Sequence, residues 1–265
     1  MEEDVILTKQ IKVEIEGRLA TVTFNQPEVM NALDGVMMKE LADIVDQLKD
    51  NSSVHVVLFR GAGRAFSAGG NVKAMLDPSS PMKMEDIMID LSRLALSMYS
   101  MPQITIASVH GAAAGLGCSI AIACDVVIAE ESSKIAMNFI GIGLVPDGGG
   151  HFFLKERVGI ARAKQLIWSG KVLDGKSAMH IGLVDEAVAD GEAWNTAQQR
   201  AQVILHSPTA SMAATKKILH ATGIAELEKI LKLEGEAQVA MRSTTDHREG
   251  VQAFIEKRKP SFTGQ

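Results

Sequence analysis

Two glycine-rich stretches and one aspartate stand out for the chemistry they could do. Phe66-Ser67-Ala68-Gly69-Gly70-Asn71 follows the apolar run VHVVLF at 54–59. His110-Gly111-Ala112-Ala113-Ala114-Gly115-Leu116-Gly117 follows QITIASV at 103–109. A strand that turns through glycines into a helix can leave free backbone N–H groups at the helix start, where partial positive charge gathers. Two such groups aimed at one point make an oxyanion hole for an enolate or a tetrahedral intermediate. Glycines after strands are also ordinary turn residues, so spacing alone leaves both readings open. The third feature is Pro146-Asp147-Gly148-Gly149-Gly150. Asp between Pro and Gly is common turn chemistry. As a loop carboxylate near the two junctions, Asp147 is also a candidate acid/base.

Other chemistries lack their residues. Neither junction reads G-x-G-x-x-G or G-x-x-x-x-G-K-[ST], so those nucleotide-phosphate motifs are absent. The seven histidines are scattered, without H-E-x-x-H or a cluster with cysteine, so no metal is expected. Serines are plentiful, but no G-x-S-x-G elbow occurs. Cys118 and Cys124 have neither C-x-x-C nor zinc spacing. They lie in an Ala/Ile/Gly-rich stretch and read as small buried hydrophobes in a reducing compartment. The 14 methionines read as core filling, or as an adaptable lining for an acyl chain.

The elements that must position these groups follow from periodicity. IKVEIE and LATVTF, residues 11–24, alternate apolar and polar residues around Gly17-Arg18, which predicts a hairpin. Asp34 is placed to cap a helix carrying Met37, Leu41, Ile44, Val45 and Leu48 on one face. Residues 54–59 read as a strand buried on both sides. Ile87, Leu91, Leu94 and Met98 mark a helix over 82–99. Strand 103–109, a helix on LGCSIAIAC, and strands at 125–130 and 134–137 follow, with a loop to 150. A helix is expected over about 161–169, stopped by Gly170. Beyond about 190 the pattern is helical: Pro208 suits a helix start, GIAELEKILKLEGEAQVAM reads as one long helix, and Asp246 to Glu249 resembles a capping box for the last.

The whole chain, 265 residues with formal charge −5 and a pI near 5.8, excludes several classes. An acidic chain offers no basic footprint for nucleic acid or for an anionic membrane surface. Eleven aromatic residues make a poor stacking platform for single-stranded bases. Residues 94–124 carry no Lys, Arg, Asp or Glu, but Pro102, Gln103, His110 and three glycines break the run. A buried strand, a turn and a buried helix explain it better than a membrane span. The start, MEEDVILTKQ, lacks the apolar core of a signal peptide, so a cytoplasmic location is expected.

Taken together, QPEVMNAL at 26–33, AFSAGGNVKAM at 65–75, HGAAAGLGCSIAIACDVVIA at 110–129, IGLVPDGGGHFFLKERVG at 142–159 and FIEKRKPSF at 254–262 resemble the crotonase (enoyl-CoA hydratase/isomerase) superfamily. The resemblance implies an α/β fold, a crotonase-like spiral of ββα units with a C-terminal helical trimerisation region. It divides the chain into an acyl-CoA-binding core at 1–200 and a helical oligomerisation region at 201–265. It implies an acyl-CoA substrate, a homotrimer or homohexamer, and no cofactor beyond the CoA that the substrate carries. By resemblance, Gly70 and Leu116 supply the two oxyanion N–H groups. Met30, Ala32, Leu33, Ala68, Gly69, Asn71 and Val72 line the CoA pocket, and Lys257 meets a CoA phosphate.

The sequence also departs from the hydratases of that family. The two glutamates that activate water there correspond to Ser119 and Phe139 here. Serine is no useful base at neutral pH, and phenylalanine carries no proton. The stretch NFIGIGLVPDGGG looks like that of phenylacetate-pathway isomerases and Δ3,Δ2-enoyl-CoA isomerases, in which the loop aspartate is the acid/base. The implied activity is double-bond migration by Asp147 through an enolate held by Gly70 and Leu116, with Phe139 excluding water and raising the aspartate's pKa. A hydratase with a displaced base, a dehalogenase-like use of the aspartate as nucleophile, and a non-catalytic acyl-CoA-binding protein remain as alternatives.

Overall fold

The computed structural model describes residues 4–7, 10–76 and 83–265. Strands β1 (Asp4–Leu7), β2 (Ile11–Glu16) and β3 (Leu19–Phe24) form an antiparallel meander, with the predicted hairpin turning at Gly17. From β3 onward the pairing is parallel. β4 (Val56–Gly61), β5 (Ile104–Val109), β7 (Val126–Glu130) and β9 (Glu186–Val188) extend the sheet in the order β1-β2-β3-β4-β5-β7-β9.

A second, fragmentary ladder runs beside that sheet. Leu33 pairs with Gly70 and Ser67 with Ala113, and β6 (Ala112–Ala114) pairs with β8 (Lys134–Ala136). All of these are parallel; Ile135 then pairs antiparallel with Leu173. Each turn of chain contributes one long strand to the sheet, one short stretch to this ladder, and then a helix. The helices are α1 (Gly35–Asp50), α2 (Met84–Ser100), α3 (Leu116–Ala123) and α4 (Gly150–Ser169). That is the ββα spiral.

The helices form where their periodic faces can be buried. The Asp34 carboxylate accepts the Met37 N–H at 2.9 Å, and Met37, Leu41, Ile44, Val45 and Leu48 of α1 are buried against the sheet. On the opposite face of the sheet, Val56, Leu58, Ile104, Ile106 and Ile128 pack against Ala193, Ala197, Ala201 and Ile204 of α6 (Ala193–Leu205). Residue 200 therefore lies inside a helix that belongs to the sheet's outer layer. The remaining elements are α5 (Gly175–His180), α7 (Thr209–His220), α8 (Ile224–Arg242) and α9 (Thr245–Glu256).

Several expectations need correcting. The strand expected at 54–59 occupies Val56–Gly61. β6 and β9 were not expected; three alanines and Glu-Ala-Val are too short to show a period. The helix expected over 161–169 begins at Gly150 and is broken at Gly159 (φ 74°, ψ 157°), so its first half was hidden in a glycine-rich run; it does end at Gly170. The last helix is capped by Thr244, whose Oγ1 accepts the His247 N–H at 3.1 Å, and not by Asp246. Asp246 instead accepts the backbone N–H groups of Thr263 and Gly264. Among the described residues no helix is long and apolar enough to cross a membrane.

Helix α7 is tied to the core by a buried lysine. Lys216 Nζ donates to Asp125 Oδ2 at 2.7 Å and to the Gln103 carbonyl at 2.9 Å, and the same carboxylate oxygen accepts from Thr105 N and Oγ1. Removing one partner of a buried ion pair leaves the other charge uncompensated. Lys216→Met should cost about 3 kcal/mol, read as a fall in the urea midpoint with an unchanged slope.

Candidate active site

The two glycine junctions are packed onto one another through backbone. Ser67 N–H donates to the Ala112 carbonyl at 2.9 Å, and Ala114 N–H donates to the Ser67 carbonyl at 3.0 Å. A Cβ at Gly69 (φ 88°) would sit 2.5 Å from the Ala114 carbonyl oxygen, and one at Gly117 would sit 2.8 Å from Ser67. Only glycine permits this approach. On its other side the 67–71 strip meets the 26–33 segment. Ala68 N–H donates to the Met30 carbonyl (2.9 Å), Leu33 N–H to the Gly69 carbonyl (2.8 Å) and Asn71 N–H to the Leu33 carbonyl (3.0 Å).

Because Gly69 and Asn71 face Leu33, the intervening Gly70 N–H faces away from that pairing. Leu116 opens α3, where the first N–H groups have no partner within the helix. Among the described residues neither the Gly70 nor the Leu116 N–H makes a hydrogen bond. Two unpaired donors therefore flank one packed junction, as an oxyanion hole requires.

Asn31 was missed as an individual residue. It is fully buried in a left-handed conformation (φ 54°), which asparagine tolerates better than most residues. Its Nδ2 donates to the carbonyls of Ala62, Ala65 and Phe66, its Oδ1 accepts the Gln26 N–H, and its carbonyl accepts from Ser67 Oγ. One side chain thus fastens the 26–33 segment to the glycine loop. An Asn followed by apolar residues looks like turn chemistry, so only its neighbours could reveal this role.

The loop of the candidate base arrives beside the second junction. A Cβ at Gly148 would lie 2.6 Å from Leu116 Cδ1 and 3.7 Å from Ser119 Cβ. Ser119 is fully buried, with its hydroxyl 3.7 Å from the Met137 sulfur. Phe139 lies against Gly115: a Cβ there would be 3.8 Å from the ring. Val72 opens the 3₁₀ turn Val72–Leu76, Ala32 packs within the 26–33 turn, and α9 packs against Val72–Leu76. Lys257 ends α9 as an exposed left-handed residue (φ 56°), and no hydrogen bond joins it to the glycine strip among the described residues. The geometry thus gathers Met30, Leu33, Ala68, Gly69, Gly70, Asn71, Leu116 and Asp147 around the two junctions, and leaves Lys257 at the rim.

Asp147 is 7% exposed. Its Oδ2 accepts from Gln238 Nε2 at 3.0 Å, and its Oδ1 has no partner among the described residues. Burial pushes its carboxyl up to about 8; the negative charge of Glu234 acts in the same direction and Arg242 opposes it. The expected rise is present, but Glu234 and not only apolar neighbours produces it. Glu234, Gln238 and Arg242 come from α8, which the sequence reading gave to oligomerisation. The available signal was polar residues at spacing i, i+4 and i+8 in register with buried Leu227 and Leu231. Cys118 and Cys124 are buried with thiols pushed up to about 12, so they act as small hydrophobes. Among the described residues no three His, Cys, Asp or Glu side chains cluster as metal ligands.

The sequence profile of the family described as enoyl-CoA hydratase/isomerase matches residues 14–265. The chain belongs to that family. It is 45% identical over 246 residues to YhaR of Bacillus subtilis strain 168, an enoyl-CoA hydratase/isomerase by name, covering 93% of this chain and 96% of that one. It is 34% identical over 256 residues to the 1,2-epoxyphenylacetyl-CoA isomerase of Escherichia coli K12, covering 95% and 97%. The crystal structure of an enoyl-CoA hydratase from Mycobacterium avium subsp. paratuberculosis K-10 superposes with a TM-score of 0.89 at 31% identity, covering 97% of this chain and all of that one. The crotonase spiral expected from the sequence is therefore the fold. These enoyl-CoA hydratase/isomerase relatives carry both hydratase and isomerase names.

The Asp147 environment makes a stability prediction. The native protein holds the Asp147 proton more tightly than an unfolded chain, whose aspartate ionises near 3.8. Stability from this group is complete below that value and is lost as pH rises through about 8. Asparagine keeps an acceptor for Gln238 and has no proton to lose. Asp147→Asn should match the wild type near pH 4 and exceed it by several kcal/mol, on the order of 5, well above pH 8, as read by thermal melts across pH.

Proposed function

We propose that this family member moves a double bond within an enoyl-CoA thioester, with Asp147 as its single acid/base. The observation that carries the reading is the unpartnered, buried Oδ1 of Asp147 beside the start of α3. Glu234, the other buried carboxylate near the loop, has both oxygens occupied: Oε2 accepts the Gly149 N–H, and Oε1 accepts from His151 N and Nδ1. Ser119 and Phe139 supply no second base. Hydration by a carboxylate pair therefore lacks its partner, whereas isomerisation needs one proton carrier.

The steps follow from these groups. The thioester carbonyl oxygen sits between the N–H groups of Gly70 and Leu116. Ionised Asp147 takes a proton from C2 of a 3-enoyl-CoA through Oδ1. The C–H electron pair moves into the C2–C1 bond, and the carbonyl pair becomes the enolate oxygen's charge, which the two N–H dipoles stabilise. Protonated Asp147 then returns the proton to C4, the double bond settles between C2 and C3, and the carbonyl reforms. A pKa near 8 places the group close to neutrality, where one carboxyl serves well as both base and acid. Met30, Ala32, Leu33, Ala68, Gly69, Asn71 and Val72 would line the CoA, Phe139 would close the acyl side against water, and Lys257 at the rim would reach a phosphate. No further cofactor enters this scheme. Exposed Ile218, Leu219 and Phe254 on the C-terminal helices support a homotrimer or a pair of trimers.

Asp147→Asn should slow double-bond migration by ~10² to 10⁴ and leave acyl-CoA affinity, by calorimetry, nearly unchanged. The wild-type kcat/KM should climb with pH and level off above about 8. Hydration of a 2-enoyl-CoA that is fast and survives Asp147→Asn would replace this reading with a hydratase using a displaced base. Light scattering should give a trimer or hexamer mass; a monomer would refute the assembly.

A further inference from the structure

Helix α8 places polar side chains where its periodicity calls for apolar ones. Leu227 and Leu231 pack in the core, and the same buried stripe continues with Glu234 and Gln238 to half-buried Arg242. Gln238 is fully buried. Its amide donates one bond to the Val145 carbonyl at 2.6 Å and another to Asp147 Oδ2 at 3.0 Å. Both amide hydrogens are committed to the loop, which fixes the plane of the amide and the rotation of the carboxyl. Glu234 grips the far end of the same loop through Gly149 N–H at 2.8 Å and His151 N–H at 3.0 Å.

We propose that Gln238 and Glu234 are positioning residues for the reaction, Gln238 holding Oδ2 so that Oδ1 meets the substrate, and Glu234 fixing the loop while placing a negative charge beside Asp147. The inference rests on Asp147 being the acid/base. The two residues act on that carboxyl with opposite signs. An N–H donated to a carboxylate favours the ionised form, whereas a neighbouring negative charge disfavours it.

The other charges facing the loop are few. Arg242 of α8 opposes Glu234 at Asp147. His151 of α4 is bound to Glu234 through Nδ1 at 2.8 Å. His247 of α9 lies near Arg242 and bonds the Ile142 carbonyl. Arg93 and Asp90 of α2 are paired among themselves and with Asp43 and Asp46 of α1. From Leu94 through α3 there is no Lys, Arg, Asp or Glu.

The test is kcat/KM against pH, from about pH 5 to 10, for the wild type, Gln238→Met, Glu234→Gln and Asp147→Asn with a 3-enoyl-CoA. Gln238→Met keeps the length but cannot donate. Its acid limb should move up by about one pH unit, with a loss of about tenfold at neutral pH. Glu234→Gln should move the limb down by about one unit. Side chains that only support the fold would lower kcat in both variants with the limb unmoved, and that result overturns the proposal, as does a shift of both limbs in one direction. Gln238→Leu is the second variant should Gln238→Met fail to fold; it also cannot donate and adds no charge, so its limb must move up as well. An Asp147→Asn protein with wild-type activity would overturn the acid/base reading itself. An inactive Asp147→Asn with unmoved limbs in the other variants would overturn only the positioning role.

Discussion

The site depends on one close approach of backbone to backbone. The strip from Ser67 to Asn71 is held between Leu33 on one side and Ala112–Ala114 on the other, by parallel bridges too short to be strands of their own. Hydrogen bonds at 2.8 to 3.0 Å on both edges leave no room for a side chain at Gly69 or Gly117. They also decide which amides are left over. The Gly69 carbonyl accepts from Leu33, and across a planar trans peptide the next N–H points the opposite way, so the Gly70 N–H is turned outward. The unpaired Gly70 N–H is what remains when the neighbouring backbone groups have been satisfied.

That dependence explains what could be read from the sequence. The β2–β3 hairpin, the Asp34 cap of α1, the buried strand β4 and the stop at Gly170 are local: a period of two or 3.6, or one cap residue, specifies each. The two glycine junctions were visible as composition, but their meeting was not, because Ser67 and Ala113 pair across a long stretch of chain. Resemblance supplied what spacing could not. The first half of α4 escaped for a similar reason. Its N-terminal amides are capped by Glu234, more than eighty residues later, so no local cap signal stands before Gly150. Asp246 looked like a cap because its charge stands in the right place, yet Thr244 does that work and Asp246 binds the C-terminal segment instead.

The helical tail reads differently once its contacts are known. Its exposed apolar residues fit the expectation of a partner surface, but its inner face serves the site. α9 meets the 139–142 turn so closely that a Cβ at Gly250 would lie 2.6 Å from the Ile142 backbone, and His247 Nδ1 bonds the Ile142 carbonyl at 2.8 Å. α8 takes the loop from Val145 to Gly149. The loop that carries Asp147 is therefore pinned at both ends by helices from the other end of the chain, and a boundary drawn at 200 would cut Asp147 from its supports.

Two carboxylates share this buried region and differ in what they have left to give. Glu234 accepts three N–H groups at the start of α4, where the helix dipole also favours negative charge. A carboxylate so saturated is a structural anchor. Asp147 receives one amide on one oxygen and nothing on the other. Burial then penalises its charge without a full set of donors to compensate, which is the condition that lets a carboxyl exchange its proton near neutral pH. The difference follows from donor count: the Gly149 N–H, the His151 N–H and the His151 ring go to Glu234, and one Asp147 oxygen is left without a partner among the described residues.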